Sequence, residues 1–239
     1  LQQLELPGGE GDGAAVALDA QLVAENVASQ LVRRVAFRRA MRIAPENPIL
    51  TVTSRDYYFY TRDLYKQAAE DSTPFNFLLE PMGRNTAPAI ALAAMVVQAQ
   101  NGPDAVMLVM PADHLINNLD AFNQVVATAA QKAAAGAIVT FGIEPQKPEV
   151  SYGYIEGGED GRVISFKEKP ELDVAEQYLA AGNYFWNSGM FAFSIATFRS
   201  EMEAHASEII STMTEAVEAG TRDGRFYRFS YEHMQRCPS

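Results

Sequence analysis

Ala105-Val-Met-Leu-Val-Met-Pro-Ala-Asp-His114 is the stretch that decides the fold class. Its first six residues form an unbroken apolar run of strand length, as expected of a strand buried on both faces, and Pro111 closes it. Two similar strands precede it, Pro48-Ile-Leu-Thr-Val-Thr53 and Phe75-Asn-Phe-Leu-Leu79, and Ala137-Ile-Val-Thr-Phe-Gly142 follows. Helical patterns separate them over residues 56–69, 85–100 and 121–135. In the second of these, Asn85 or Thr86 can cap the helix and Pro88 suits its first turn. Strands that alternate with helices predict an α/β fold, a mostly parallel sheet with helices on both faces.

After Gly142 the rhythm changes. Tyr152-Gly-Tyr-Ile155, a turn at 158–161 and Val163-Ile-Ser-Phe166 read as a hairpin. A helix over 173–181, a strand Met190-Phe-Ala-Phe-Ser194 and a helical stretch over 196–219 complete the pattern. The first forty residues do not fit it. Gly8-Gly-Glu-Gly-Asp-Gly13 is a glycine cluster, the Ala/Val-rich stretch behind it has no clean period, and Arg33-Arg34 with Arg38-Arg39 read as a basic helical patch. Residues 1–47 are therefore set apart as an anomalous N-terminal segment, and 48–239 as the domain proper.

Composition excludes several classes. With 239 residues, 48% of them hydrophobic, the chain can bury a sizeable core and is not a disordered one. The formal charge of −11 argues against a protein that coats nucleic acid or anionic lipid, but not against a phosphate ligand held by a few local cations or a metal. A single cysteine, Cys237, rules out a disulfide framework. No apolar run reaches the length of a membrane span and no signal-peptide pattern opens the chain, so the expectation is a soluble, cytoplasmic domain.

In open parallel sheets ligands bind beyond the carboxyl ends of the strands, which is where Asp113 falls. A carboxylate there can hold magnesium bridged to phosphates, or merely cap the following loop. At the junction Glu80-Pro-Met-Gly-Arg-Asn-Thr86, Arg84 offers a planar donor fork and the next helix offers free N–H groups to an anion, though a well-capped helix beside a solvated arginine explains the same residues. Glu168-Lys-Pro170 pairs a hydroxyl acceptor with a cation able to neutralise phosphate, and is equally a polar turn. Phe185-Trp-Asn-Ser-Gly-Met190 sets the only tryptophan beside an amide and a glycine, which suits a pocket wall facing a polyol or a strand packed at an edge. No dinucleotide glycine motif, Ser/His pair or histidine cluster is present in the sequence.

Taken together, the segments from Glu80 to Ala94, Pro111-Ala-Asp-His114, Tyr152-Gly-Tyr-Ile155, Glu168-Lys-Pro170 and Tyr184-Phe-Trp-Asn-Ser-Gly-Met190 resemble, in order and spacing, the mannose-1-phosphate guanylyltransferases, including those fused to a mannose-6-phosphate isomerase. The resemblance runs from about Pro48 to Ser239. It implies a Rossmann-like fold and the reaction of GTP with mannose 1-phosphate to give GDP-mannose and pyrophosphate. It further implies that Asp113 holds the catalytic magnesium and that Asn85 and Thr86 lie at the nucleotide, with Arg84 and Glu80 shaping that corner. Gly153, Glu168, Lys169 and Asn187 would line the mannose 1-phosphate side, Lys169 also serving catalysis, and a homo-oligomer is compatible with it. A related transferase using another sugar phosphate and nucleotide, or a non-catalytic sugar-nucleotide-binding remnant, are the alternative readings.

The chain departs from the family pattern at both ends. The family opens with a glycine-rich loop rich in basic residues that cradles the triphosphate. Here Gly8, Gly9 and Gly11 stand in the corresponding place, but the next ten residues, from Asp12, hold no basic side chain. Shifting the codons for residues 12–26 by one nucleotide permits Thr-x-Arg-Leu-Trp-Pro-Leu-Thr-Arg followed by Pro-Lys, nearly the missing loop. A frameshift is one explanation and a diverged or recombined N-terminus the other. At the far end the sequence stops before the family's second metal-binding aspartate, so the domain reads as truncated.

Overall fold

The computed structural model describes residues 2–6, 14–19, 27–45, 47–68 and 75–238. The glycine cluster with Gly8, Gly9 and Gly11, and the proposed frameshifted residues 12, 13 and 20–26, lie outside the described residues. The elements run β1 (Gln2–Leu6), β2 (Ala14–Asp19), α1 (Val27–Ile43), β3 (Ile49–Ser54), a 3-10 turn (Arg55–Tyr57), α2 (Tyr58–Lys66), β4 (Phe75–Glu80), α3 (Thr86–Asn101), β5 (Val106–Pro111), α4 (Leu119–Ala134) and β6 (Ile138–Ile143). They continue with β7 (Tyr154–Gly157), β8 (Val163–Lys167), α5 (Leu172–Ala181), β9 (Tyr184–Ser194), α6 (Ile195–His205), α7 (Ser207–Glu218), β10 (Thr221–Asp223), β11 (Phe226–Arg228) and α8 (Tyr231–Arg236).

All described strands join one mixed sheet in the order β1-β6-β9-β5-β2-β3-β4-β11-β10, with the β7–β8 hairpin paired to β9. Its centre, from β5 through β2, β3 and β4 to β11, is parallel. The α/β reading with helices on both faces is borne out. Alternation along the strands divides two cores. Val106, Leu108 and Met110 of β5 face Phe37 of α1, Tyr65 of α2 and Phe122 of α4, while Met107 and Val109 face α3, α6 and α7. Helix α3 is buried from Pro88 to Val97 because α6 and α7 cover the side away from the sheet, which accounts for its apolar character all round.

Two expectations need correction, and two segments that the sequence left open find their place. The stretch at 56–69 begins as a 3-10 turn before α2, and the stretch at 196–219 breaks at Ala206, whose φ of −148° is not helical. The basic patch lies in helix α1 as read; two of its four arginines, Arg33 and Arg39, are buried, and Arg39 donates from Nη1 to the carbonyl of His114 at 2.9 Å. The aperiodic Ala/Val stretch contains β2, paired in parallel with both β5 and β3. Strands paired in parallel on both sides commonly lack alternation, so periodicity does not announce one here.

Candidate active site

The carboxyl end of β5 releases Pro111, Ala112, Asp113 and His114 above the sheet. Strand β9 runs antiparallel to β5, with Val109 opposite Phe191, so Asn187-Ser-Gly189 passes the same end. The amino end of α3 arrives there from β4. Thr86, Asp113 and Asn187 line a common cavity of about 320 Å³ together with Pro111, His114, Ser188 and Gly189. Three of the sequence-predicted residues, from three separate segments, thus meet in one place.

Asn187 connects this cavity to a second group. Its backbone N–H donates to the Gly153 carbonyl at 2.8 Å, and its Oδ1 accepts from the Gly189 N–H at 3.0 Å. A Cβ on Gly153 would lie 2.8 Å from Glu168 Oε2, and Lys169 Nζ stands 3.6 Å from Glu168 Oε1. Gly153, Glu168, Lys169 and Asn187 are therefore neighbours, with the Glu168 and Lys169 side chains largely exposed. Trp186 stands edge-on to Tyr152 with ring centres 5.4 Å apart, and its buried indole N–H has no acceptor among the described residues.

Backbone strain marks the same residues. Asn85 (φ 65°) and Lys169 (φ 42°) are the non-glycine residues with positive φ among the described residues. Asn85, with ψ −175°, occupies a region that side chains seldom adopt and that costs about 1–3 kcal/mol. It holds the cap position of α3, yet its side chain makes no capping hydrogen bond, contrary to the capping expectation. The first-turn N–H groups of α3 thus take no acceptor from the Asn85 side chain, a setting that favours an anion.

Glu80 and Arg84 are placed otherwise. Arg84 donates from Nε to the carbonyl of Met234 at 2.9 Å and from Nη2 to that of Gln235, so its fork grips the end of α8. Glu80 is buried at the end of β4. Burial pushes the Cys237 thiol up, with the cation of Arg84 opposing and the charges of Glu208 and Glu80 adding, which places Glu80 and Arg84 near the end of α8. Both belong to the segment that carries Asn85, and neither is among the described residues that line the Asp113 cavity.

The sequence reading missed Gly189 and His114 as cavity residues. Gly189 has φ 67°, and an added Cβ would meet Pro111 Cγ at 3.5 Å, ordinary contact, so conformation rather than space calls for glycine. The Trp-Asn-Ser-Gly run was the available signal. His114 Nε2 lies 3.9 Å from Asp113 Oδ1. Burial lowers the His114 pKa; Asp113 pulls it up and Arg39 adds to the lowering.

The chain belongs to the nucleotidyl transferase family, whose pattern matches residues 26–231. It is 40% identical over 195 residues to a mannose-1-phosphate guanylyltransferase of Sinorhizobium fredii, covering 80% of this chain and 38% of that protein. It is 39% identical over 204 residues to the xanthan biosynthesis protein XanB of Xanthomonas campestris, covering 84% and 43%. Among solved structures, one described as mannose-6-phosphate isomerase from Helicobacter pylori superposes with a TM-score of 0.82 at 29% identity, covering 95% of this chain and 89% of that one. The chain spans about two fifths of the length of the curated relatives it matches. Among the described residues no helix is long and apolar enough to cross a membrane.

Proposed function

We propose that the Asp113 cavity is a nucleotidyl-transfer centre that joins GTP and mannose 1-phosphate into GDP-mannose and releases pyrophosphate. The observation that carries this reading is the convergence of Thr86, Asp113 and Asn187 on one cavity, with Asn187 bonded onward to Gly153 beside Glu168 and Lys169. In this reading the nucleotide phosphates lie against the open N-terminus of α3 at Asn85 and Thr86. The sugar phosphate is held between Gly153, Glu168, Lys169 and Asn187, where Glu168 accepts from sugar hydroxyls and Lys169 neutralises phosphate.

A phosphate oxygen of the sugar phosphate attacks the α-phosphorus in line, and the bond to the β-phosphate oxygen breaks as pyrophosphate leaves with its electron pair. No covalent intermediate with the protein is required. The residues contribute orientation and fixed charge, which are large terms in such chemistry. Among the described residues no group of three or more His, Cys, Asp or Glu side chains forms a complete metal cage. Magnesium fits the donors nonetheless, because it is commonly held by one or two carboxylates with phosphate and water completing its shell. Asp113, a half-exposed carboxylate at the cavity, would be its protein ligand. When bound, the ion would neutralise phosphate charge.

In the same reading residues 48–239 form the greater part of the nucleotidyltransferase domain, β2 and α1 complete its sheet and core, and residues 1–47 carry an altered form of the triphosphate loop. The protein is cytoplasmic and can form a homo-oligomer. The names of the relatives favour mannose over other sugars. The test is Asp113→Asn in the full chain: turnover of GTP and mannose 1-phosphate should fall by at least about a hundredfold while thermal unfolding is unchanged. Turnover close to that of the unsubstituted chain would overturn the assignment.

A further inference from the structure

A second cavity, of about 530 Å³, opens beside α2 and β11. Arg55, Tyr58, Phe59, Arg62, Phe226 and Arg228 line it, and it shares no lining residue with the Asp113 cavity. Tyr58 and Phe226 pack with the α1–α2–α4 core, whereas Thr86 and Val109 of the first cavity belong to the α3 side. In a chain of net charge −11, three guanidinium groups converge here, and among the described residues no carboxylate lines the cavity.

The arginines are held by ring faces. Arg62 lies 5.0 Å from the Phe59 ring centre and 5.8 Å from that of Tyr58, and Arg228 lies 4.8 Å from that of Phe226. Tyr58 and Phe226 meet edge to face at 5.3 Å. A guanidinium whose face rests on a ring keeps its in-plane N–H donors for a second partner. Asp63 Oδ1 accepts from both Nε (2.8 Å) and Nη2 (2.7 Å) of Arg62, Asp223 stands 4.0 Å from Arg228, and Arg55 donates to the Phe229 carbonyl at 2.7 Å; of the five N–H donors on each guanidinium these contacts use only part, so each cation is positioned by a neighbour and keeps further donors. Phe59 is 63% exposed, an open aromatic plane beside the charges. The volume lies within the range usual for small-molecule sites.

We propose that this cavity is a second ligand site, for a nucleoside phosphate, with the planar base on Phe59 and the phosphates on Arg62 and Arg228. Aromatic planes select a flat heterocycle, and guanidinium forks select phosphate oxygens, so a ligand bearing both satisfies the lining where either half alone does not. The site goes beyond the transfer reading and does not rest on it.

The test places a fluorescent reporter at the cavity. With Trp186→Phe and Phe59→Trp in the full chain, the single indole reports on this site, and GDP is the probe. GDP should quench it saturably, and Arg62→Gln with Arg228→Gln should weaken that binding at least about tenfold. Guanosine and inorganic diphosphate should each bind at least about tenfold more weakly than GDP. Asp113→Asn should leave the quench unchanged. If Trp186→Phe weakens the fold, the Phe59→Trp signal with the unsubstituted chain's signal subtracted gives the same reading. Absence of a saturable quench overturns the proposal. So does diphosphate or guanosine binding as tightly as GDP, or a quench that disappears with Asp113→Asn instead of with the arginines. Turnover of Asp113→Asn judges the transfer reading separately.

Discussion

Replacing Gly153 by alanine separates a binding role from a folding role. Gly153 does not have a positive φ, so alanine is compatible with its backbone. The added Cβ would meet Glu168 Oε2 at 2.8 Å and Asn187 Cβ at an ordinary 3.6 Å. The carboxylate must retreat by about 0.6 Å to reach the 3.4 Å at which ordinary contact begins. Because the Glu168 side chain is 72% exposed, it can move at little cost to the fold. Alanine also reduces the freedom of the unfolded chain, worth about 0.4–1 kcal/mol of stability. At about 2–4 °C per kcal/mol for a domain of this size, the melting temperature should rise by about 1–4 °C or stay unchanged.

Under the proposed transfer function, catalysis should respond differently. Where misplacement by about 1 Å can cost about a hundredfold, a displacement of about 0.6 Å predicts a fall of about tenfold in kcat/KM for mannose 1-phosphate. If the effect passes through Glu168, Gly153→Ala should add little to the loss caused by Glu168→Ala alone, a non-additive cycle. Thermal unfolding and initial-rate kinetics on the four proteins measure both. Unchanged kcat/KM in Gly153→Ala, or full additivity with Glu168→Ala, would refute the reasoning. A fall in melting temperature beyond about 5 °C would show that the glycine serves the fold.

Two other outcomes are expected. Asn85→Gly should relieve the strain at φ 65°, raising stability by about 1 kcal/mol or more in thermal unfolding while weakening KM for GTP; a variant that is no more stable would show that the backbone carries no strain. Stability should also fall as pH drops below the ordinary His114 value of 6.5, because burial lowers its pKa in the folded state and the unfolded chain takes up the proton first. This contribution is complete above 6.5 and is lost as pH falls toward the folded pKa. Melting temperatures between about pH 7.5 and 5.5 should therefore drop less in His114→Gln than in the unsubstituted chain, and parallel slopes would contradict the assignment.

Much of the site was legible because its residues sit at ends of elements that local pattern announces. The apolar run before Pro111-Ala-Asp113 shows where a buried strand stops, and a polar residue there has to emerge beyond the sheet. Gly153 enters the candidate site by family likeness alone, whereas Lys169 and Asn187 also carry a local reading, as a phosphate cation and a polyol-facing amide; no local signal shows that the three are neighbours. The division of labour at Glu80–Thr86 could not be read in this way. Arg84 reads as a phosphate fork, but its partners are carbonyls 150 and 151 positions along the chain.

By itself, then, the sequence determined the alternation of strands and helices, the two-sided burial of β5 and the position of Asp113 at a strand end. These follow from the hydrophobic period of neighbouring residues, which the chain carries at every point. Only the tertiary structure decided that β2 fills the sheet between β5 and β3 and that β9 runs antiparallel between β5 and β6. It alone brought Asn187 against Gly153, seated Arg39 under the His114 carbonyl, and gathered Arg55, Arg62 and Arg228 around one cavity. Such contacts join segments far apart along the chain. They are selected by the packing of whole faces against one another, a property of the assembled core and not of any short stretch within it.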